Sequence, residues 1–424
     1  MKKKSLVMSL LALTSLTIQA QSDFVANYDE GKVPAYTLPS LLTCNDGTQI
    51  TTSAEWENKR RPEVMELFQS MMFGRTPQEK VSAQYTLLKE NPQALNGKAT
   101  IQQVRMRFSN NGKSHDAILM LVKPNHAQRS KLPVIFCYNF LGNEQTLGHD
   151  SSILPHAAND VFPITVKGKD EEGYGSWDFD QIMDRGYVLA TMCYHDIYPD
   201  GKNDLRKHSV ATLFSDYVEE SSMQPDTWQS IGMWAWGASR AANYLVTLPW
   251  IDADRMAVMG HSRLGKTALW TGAQDTRFRV VISNDSGCGG AALSRRCFGE
   301  TIGKITDSFP HWFCPLLSQY DRREQELPFD QHQLLALVAP RGLYVASAED
   351  DAWADQRGEF LAACAAGEVY HLYGLKGLET TVMPAIHQPI TNSIAYHIRA
   401  GIHDVTTYDW TQYLNFCDKQ FKLQ

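Results

Sequence analysis

The 424-residue chain has only eight cysteines, at positions 44, 137, 193, 288, 297, 314, 364 and 417. None forms a C-x-x-C pair, and none has the His/Cys spacing of a zinc site, so no zinc site is expected. Cys137 and Cys193 lie inside apolar runs, where free buried thiols are common; mostly free core thiols are expected, with room for a single bridge. A basic excess is also missing. Lys and Arg number 40 against 47 Asp and Glu, a formal charge of −7, and this argues against nucleic acid or an anionic membrane as partner. Long apolar runs are absent beyond the first twenty residues. There, Lys2-Lys3-Lys4 precedes an apolar stretch from Leu6 to Ile18 and then Ala20. That stretch is too short and too interrupted to span a bilayer, but it has the layout of a secretory signal peptide over 1–20. No cysteine follows it to carry a lipid anchor. The expectation is an exported protein, periplasmic or secreted, with no membrane anchor. Repeats, low-complexity tracts and linkers are lacking too.

What is present is material for a large core: 43% hydrophobic residues and ten tryptophans, enough for one large α/β domain or two smaller ones. Residues 21–95 are mixed, with Pro-rich joints and one helical segment, RRPEVMELFQSMMFG, and read as an N-terminal extension packed on a catalytic domain over 96–424. From 99 onward ATIQQVRMRF, Asn110-Asn111-Gly112 and HDAILMLVKP form a hairpin with Asn-Gly turn chemistry. Apolar strand-length runs follow at 132–140, 187–194, 256–259, 280–285, 342–348 and 369–374. Helical stretches separate several of them, above all WQSIGMWAWGASRAANYLVTL. Alternation of this kind predicts a mostly parallel sheet with helices on both faces. With the hairpin as strands one and two, the run at 256–259 is the fifth strand, as in the α/β-hydrolase fold.

That fifth strand runs straight into Gly260-His261-Ser262-Arg263-Leu264-Gly265, and KTALWTGAQ beyond it has helix-forming composition. A serine on a sharp strand-to-helix turn is the nucleophile elbow of α/β-hydrolases. The turn lifts Oγ clear of the sheet and aims the first N–H groups of the helix at a developing oxyanion. Here the second glycine comes three residues after the serine instead of the usual two. A bare strand-turn-helix junction with a capping serine is the plainer alternative. Serine hydrolysis also needs a histidine base and a carboxylate to orient it. Three histidines follow the last predicted strand: His387, His397 and His403. Fold position does not separate them. The carboxylate has two possible homes, Asp285 after the sixth predicted strand and the Glu349-Asp350-Asp351 cluster after the seventh.

Taken together, GHSRLGK, SNDSGCGGAALSRR, ASAEDDAWADQRGE and YHIRAGIHDVTTYDW resemble the glucuronoyl esterases of carbohydrate esterase family 15. FPHWF (309–313) and YNFLGN (138–143) fit the same pattern, and the likeness spans roughly 100–424. The resemblance implies an α/β-hydrolase fold, Ser262 as nucleophile and His403 as base. It implies Arg263 as an oxyanion donor, and Lys266, Glu300 and Trp353 as contacts to the sugar. The family commonly has a Glu after strand six, where this chain has the shorter Asp285; some bacterial members carry an acid after strand seven, here Asp351. Which of Asp285 and Asp351 orients the histidine stays open at this point. The implied reaction is hydrolysis, through an acyl-enzyme, of esters between an alcohol and the carboxyl of 4-O-methyl-D-glucuronic acid. Such esters link glucuronoxylan to lignin. No cofactor or metal is implied, and a monomer is expected. An acetyl-xylan or other carbohydrate esterase on the same fold is the alternative within enzymes. A silent carbohydrate-binding protein would be expected to lack the serine, the histidine or both acids, and none is missing.

Overall fold

A computed structural model of the chain describes residues 24–147, 152–164, 176–201 and 205–423; the expected signal peptide at 1–20 lies outside the described residues. Ten strands form one sheet: β1 (Ser82–Ala94), β2 (Ala99–Asn110), β3 (Lys113–Pro124), β4 (Leu132–Asn139), β5 (Val188–Cys193), β6 (Ile251–His261), β7 (Phe278–Asn284), β8 (Gly342–Ala348), β9 (Ile390–Thr391) and β10 (Ile394–Arg399). Their order across the sheet is β1-β2-β3-β5-β4-β6-β7-β8-β10-β9. The run from β5 through β4, β6, β7 and β8 to β10 is parallel, while β1, β2, β3 and β9 pair antiparallel at the two ends. This is the α/β-hydrolase fold.

The central strands are buried on both faces because successive side chains point to opposite sides. In β4, Val134 and Phe136 join the core on one face, and Ile135 and Cys137 the core on the other. The first face is covered by the helices Ser230–Leu245, Arg263–Gln274 and Gln356–Leu372, the second by Phe179–Asp184 and Thr407–Phe421. All eight cysteines are free, six of them buried.

Three features differ from the sequence reading. The segment drawn as an extension through 95 divides at Ser82. Its last part, SAQYTLLKENPQA, is an edge strand paired with β2, so the strand before Ser262 is sixth in the chain. Its polar, mostly exposed composition hides the two-residue alternation that marks a half-buried strand. Residues 369–374, expected as a strand, hold the last turn of the helix Gln356–Leu372. A short apolar run does not by itself distinguish strand from helix, and the preceding Ala-rich turns carry the helix through. The last long strand is β10, which contains His397. Upstream of β1, Trp56, Val64, Phe68 and Phe73 are fully buried. Phe73 stacks on Trp270 at 4.7 Å between ring centroids, and Arg61 donates to the Ala273 carbonyl at 2.7 Å, so the N-terminal segment braces the helix that follows Ser262.

Candidate active site

Ser262 sits at the turn from β6 into Arg263–Gln274 with φ 57° and ψ −127°, a backbone conformation a non-glycine residue adopts only under constraint. The constraint is local packing. The Ser262 N–H donates to the Asn284 carbonyl at 2.9 Å, and the Ser262 carbonyl accepts from Gly265 and Lys266 N–H groups at 2.9 and 3.2 Å. A Cβ at Gly260 would lie 1.9 Å from the Leu264 carbonyl oxygen, and one at Gly265 would lie 2.9 Å from the Ser286 Cβ. The second glycine is therefore required where it stands, three residues after the serine. At that point the first helical turn crosses the chain leaving β7.

His403 lies in the loop after β10, its ring 4.4 Å from that of His261, the neighbour of Ser262. Its Nδ1 is 2.5 Å from Asp351 Oδ2. Asp351 is buried and His403 is 36% exposed on its side chain. The two other histidines are occupied differently. His397 is fully buried, with Nε2 2.8 Å from Asp409 Oδ1 and Nδ1 2.9 Å from the Tyr344 hydroxyl. His387 accepts from the Ala400 N–H at 3.3 Å and packs on Tyr408.

Asp285, directly after β7, is buried in the same corner. One ligand-type atom from each of Asp285, Asp351 and His403 falls within 4.8 Å of the others. A tetrahedral ion with bonds of about 2.0 Å holds its ligands roughly 3.3 Å apart, wider than the 2.5 Å His403–Asp351 contact, which has the length of a charge-assisted hydrogen bond. Asp285 Oδ2 faces Arg399 Nη2 at 3.5 Å and Oδ1 has no partner. Burial first, then the charges of Asp351 and Glu359, push its carboxyl well above the usual range against the pull of Arg399. The same Arg399 donates to the carbonyls on either side of His403, Ile402 at 3.0 Å and Asp404, while its Nε binds Asp409 at 2.7 Å. It ties the loop that carries His403 to buried anions.

Arg263 opens the helix after Ser262. Nη1 donates to Asp200 Oδ2 at 2.6 Å, and the guanidinium lies over the rings of Trp312, Phe309 and Phe140 at 4.8, 5.5 and 5.9 Å. Lys266, one turn on, is buried and donates to the Ser286 carbonyl at 2.5 Å. Burial lowers its pKa, opposed chiefly by Glu300. Burial likewise raises Glu300, opposed by Lys266 and by a hydrogen bond from Trp353. The Glu300 N–H donates to the Trp353 carbonyl at 3.1 Å, and the Trp353 indole is 38% exposed with Phe24 against its edge. The fold thus gathers one end of the central strands into two neighbouring groups: Ser262, His403, Asp351 and Asp285; and Arg263, Lys266, Glu300 and Trp353.

A family model described as fungal glucuronyl esterase matches residues 221–374. A carbohydrate esterase, MZ0003, from an unknown prokaryotic organism is 40% identical over 431 residues, 98% of each chain. The solved glucuronoyl esterase of Solibacter usitatus is 40% identical, with a TM-score of 0.83 over 93% of this chain and all of that one. The chain belongs to the glucuronoyl esterases of carbohydrate esterase family 15. A more distant relative is the 4-O-methyl-glucuronoyl methylesterase of Schizophyllum commune, 28% identical over 80% of this chain and 74% of its own. The chain is a carboxylic ester hydrolase.

For this glucuronoyl esterase family member, reading the sequence missed Asp200 and Arg399. Asp200 stands in Tyr198-Pro199-Asp200-Gly201, which reads as ordinary turn chemistry. Arg399 ends an apolar strand and looks like a solvated terminal charge, yet its side chain is 3% exposed. No local pattern betrays either residue, because the contacts that tie them to the site, Arg263, His311 and Trp312 for Asp200 and Asp285 for Arg399, lie 63 to 114 residues away in sequence. Among the described residues no helix is long and apolar enough to cross a membrane.

Proposed function

We propose that this chain is an exported serine esterase that hydrolyses esters of 4-O-methyl-D-glucuronic acid. The alcohol side would be a lignin-type alcohol and the acid side a glucuronoxylan side group. The single observation that carries the reading is the 2.5 Å His403–Asp351 bond next to the strained Ser262 elbow, within a family of glucuronoyl esterases. In the proposed reaction Ser262 Oγ attacks the uronoyl carbonyl carbon and passes its proton to His403 Nε2. Asp351 accepts the hydrogen bond from Nδ1–H and stabilises the imidazolium. The oxyanion receives hydrogen bonds from the helix N-terminus and the Arg263 guanidinium. Collapse breaks the bond to the alkoxy oxygen, which takes the proton from His403 and leaves as alcohol. Water then gives a proton to His403 and attacks the acyl carbon; collapse breaks the bond to Ser262 Oγ, which takes that proton back from His403, and 4-O-methyl-glucuronic acid leaves. Lys266, Glu300 and Trp353 would hold the sugar ring and hydroxyls, a polar, charged lining suited to a uronate acyl group rather than to acetate.

The test is initial-rate hydrolysis of benzyl 4-O-methyl-glucuronate beside an acetylated xylan. The expected result is a much larger kcat/KM on the glucuronate ester, abolished in Ser262→Ala and in His403→Ala but retained in large part by His387→Ala. Preference for the acetylated xylan would transfer the chain to the acetyl-esterase alternative; full activity in Ser262→Ala would remove the serine mechanism.

A further inference from the structure

We infer that Asp200 is a positioning residue for the oxyanion, setting the in-plane orientation of the Arg263 guanidinium. The inference rests on the proposed role of Arg263 and adds to it the residue that aims it. Four donors converge on this carboxylate, whose side chain is 2% exposed. Oδ1 accepts from His311 Nε2 at 2.6 Å and Trp312 Nε1 at 2.9 Å; Oδ2 accepts from Arg263 Nη1 at 2.6 Å and the Tyr194 hydroxyl at 2.9 Å. Its own N–H donates to His195 Nδ1 at 2.8 Å, so the backbone under the carboxylate is anchored as well.

An arginine side chain has several rotatable bonds, and its rotamer freedom works against a fixed donor geometry. The aromatic box restrains only part of that freedom. Phe309 and Trp312 stack on each other at 3.8 Å, and ring faces beside a guanidinium limit its tilt without choosing which N–H edge points at the acyl oxygen. A hydrogen bond in the guanidinium plane supplies that choice. It occupies Nη1, leaves Nε buried without a partner, and directs the remaining edge away from Asp200. Burial alone would push the Asp200 carboxyl up. The His311 hydrogen bond, the Arg263 charge and the Trp312 donor outweigh it and hold the group below the usual range. Asp200 also accounts for two residues of the FPHWF segment: His311 and Trp312 both donate to Asp200 Oδ1.

The test is a double-mutant cycle on benzyl 4-O-methyl-glucuronate with Asp200→Asn and Arg263→Ala, each variant checked by thermal melting. An amide at 200 keeps the shape but loses the charge, and either orientation turns its N–H₂ toward an obligatory donor, Arg263 Nη1 or Trp312 Nε1. Misaiming a catalytic donor by about 1 Å costs up to roughly a hundredfold in rate, so Asp200→Asn is expected to lower kcat at least tenfold while KM changes about twofold. In the Arg263→Ala background the same substitution is expected to change kcat less than about twofold. Asp200→Glu, which keeps the charge but displaces it by one methylene, serves if Asp200→Asn fails to fold, and the same split and non-additivity are expected. Equal kcat losses in both backgrounds would overturn the inference, since Asp200 would then act through the fold alone. A costly Arg263→Ala with a harmless Asp200→Asn would overturn it too, leaving the oxyanion reading intact. Unchanged kcat in Arg263→Ala would defeat the oxyanion reading itself and this inference with it.

Discussion

Two carboxylates compete for one imidazole in this site, and their surroundings separate them. Asp351 is already hydrogen-bonded to His403 at 2.5 Å. Asp285 sits in the same corner but spends Oδ2 on Arg399, and its carboxyl is pushed well above the usual range by burial and neighbouring acids. A carboxyl held toward the neutral form is a poor partner for an imidazolium, whereas an ionised one stabilises it. Asp351→Asn is therefore expected to lower kcat by roughly 10⁴-fold, the loss seen when a triad acid becomes an amide. Asp285→Asn is expected to cost about tenfold, by loosening Arg399 and the His403 loop, and the double variant should fall below Asp351→Asn alone. Steady-state kinetics of the three variants decide the matter. A larger loss in Asp285→Asn than in Asp351→Asn would return the orienting role to the position after β7.

At the scale of elements, the strand-turn-helix unit around Ser262 depends on two glycines for different reasons. Gly260 has no room at all: its added Cβ would collide with the Leu264 carbonyl at 1.9 Å, backbone that cannot move without undoing the first helical turn. Gly265 is tight on three sides: an added Cβ would meet the Ser286 Cβ at 2.9 Å and the Gly260 and Asn284 carbonyl oxygens at 3.1 and 3.2 Å, so the neighbouring chain must give by a few tenths of an ångström. Gly265→Ala is expected to cost about 1–3 kcal/mol, the usual price of overpacking. Gly260→Ala is expected to cost clearly more and to abolish turnover even where the protein folds. Urea midpoints and specific activities of the two variants test this, and equal, small losses in both would mean the elbow is less rigid than its geometry. This unit was legible in the sequence because its signals are local: an apolar strand, two glycines, a serine and a helical run. The strand 342–348 was legible for the same reason. Strand β1 was not, since an exposed edge needs few apolar residues. Nor was the helical end at 369–372, where an apolar run fits either period. The choice among His387, His397 and His403 was settled in the sequence only by family likeness. The physical distinction, that His397 has both ring nitrogens engaged in the core while His403 keeps one side toward solvent, needs partners 12 to 53 residues away.

For the whole molecule, the feature with the widest consequence is the acid buried beneath the site. Glu359, in the helix Gln356–Leu372, is fully buried; it accepts from the Gly287 N–H at 2.9 Å and the Ser347 hydroxyl at 2.6 Å. These donors favour the anion, but burial dominates, aided by Asp351 and Asp355, and the carboxyl is pushed from 4.5 up to about 8. The folded chain thus holds this proton more tightly than the unfolded chain does. The stability that comes with it is fully present below the unfolded value near 4.5 and is lost as pH rises through about 8. Within that window the loss accrues at roughly 1.4 kcal/mol per pH unit for one proton. Glu359→Gln, which cannot ionise, should escape it. The two proteins are expected to melt at similar temperatures near pH 4.5, with the wild type falling progressively behind the variant up to pH 8 and by a constant margin above. Thermal melting from pH 4.5 to 9.5 reads this directly. A wild type whose melting temperature tracks that of Glu359→Gln in parallel across the whole range would show that Glu359 does not take up a proton on folding.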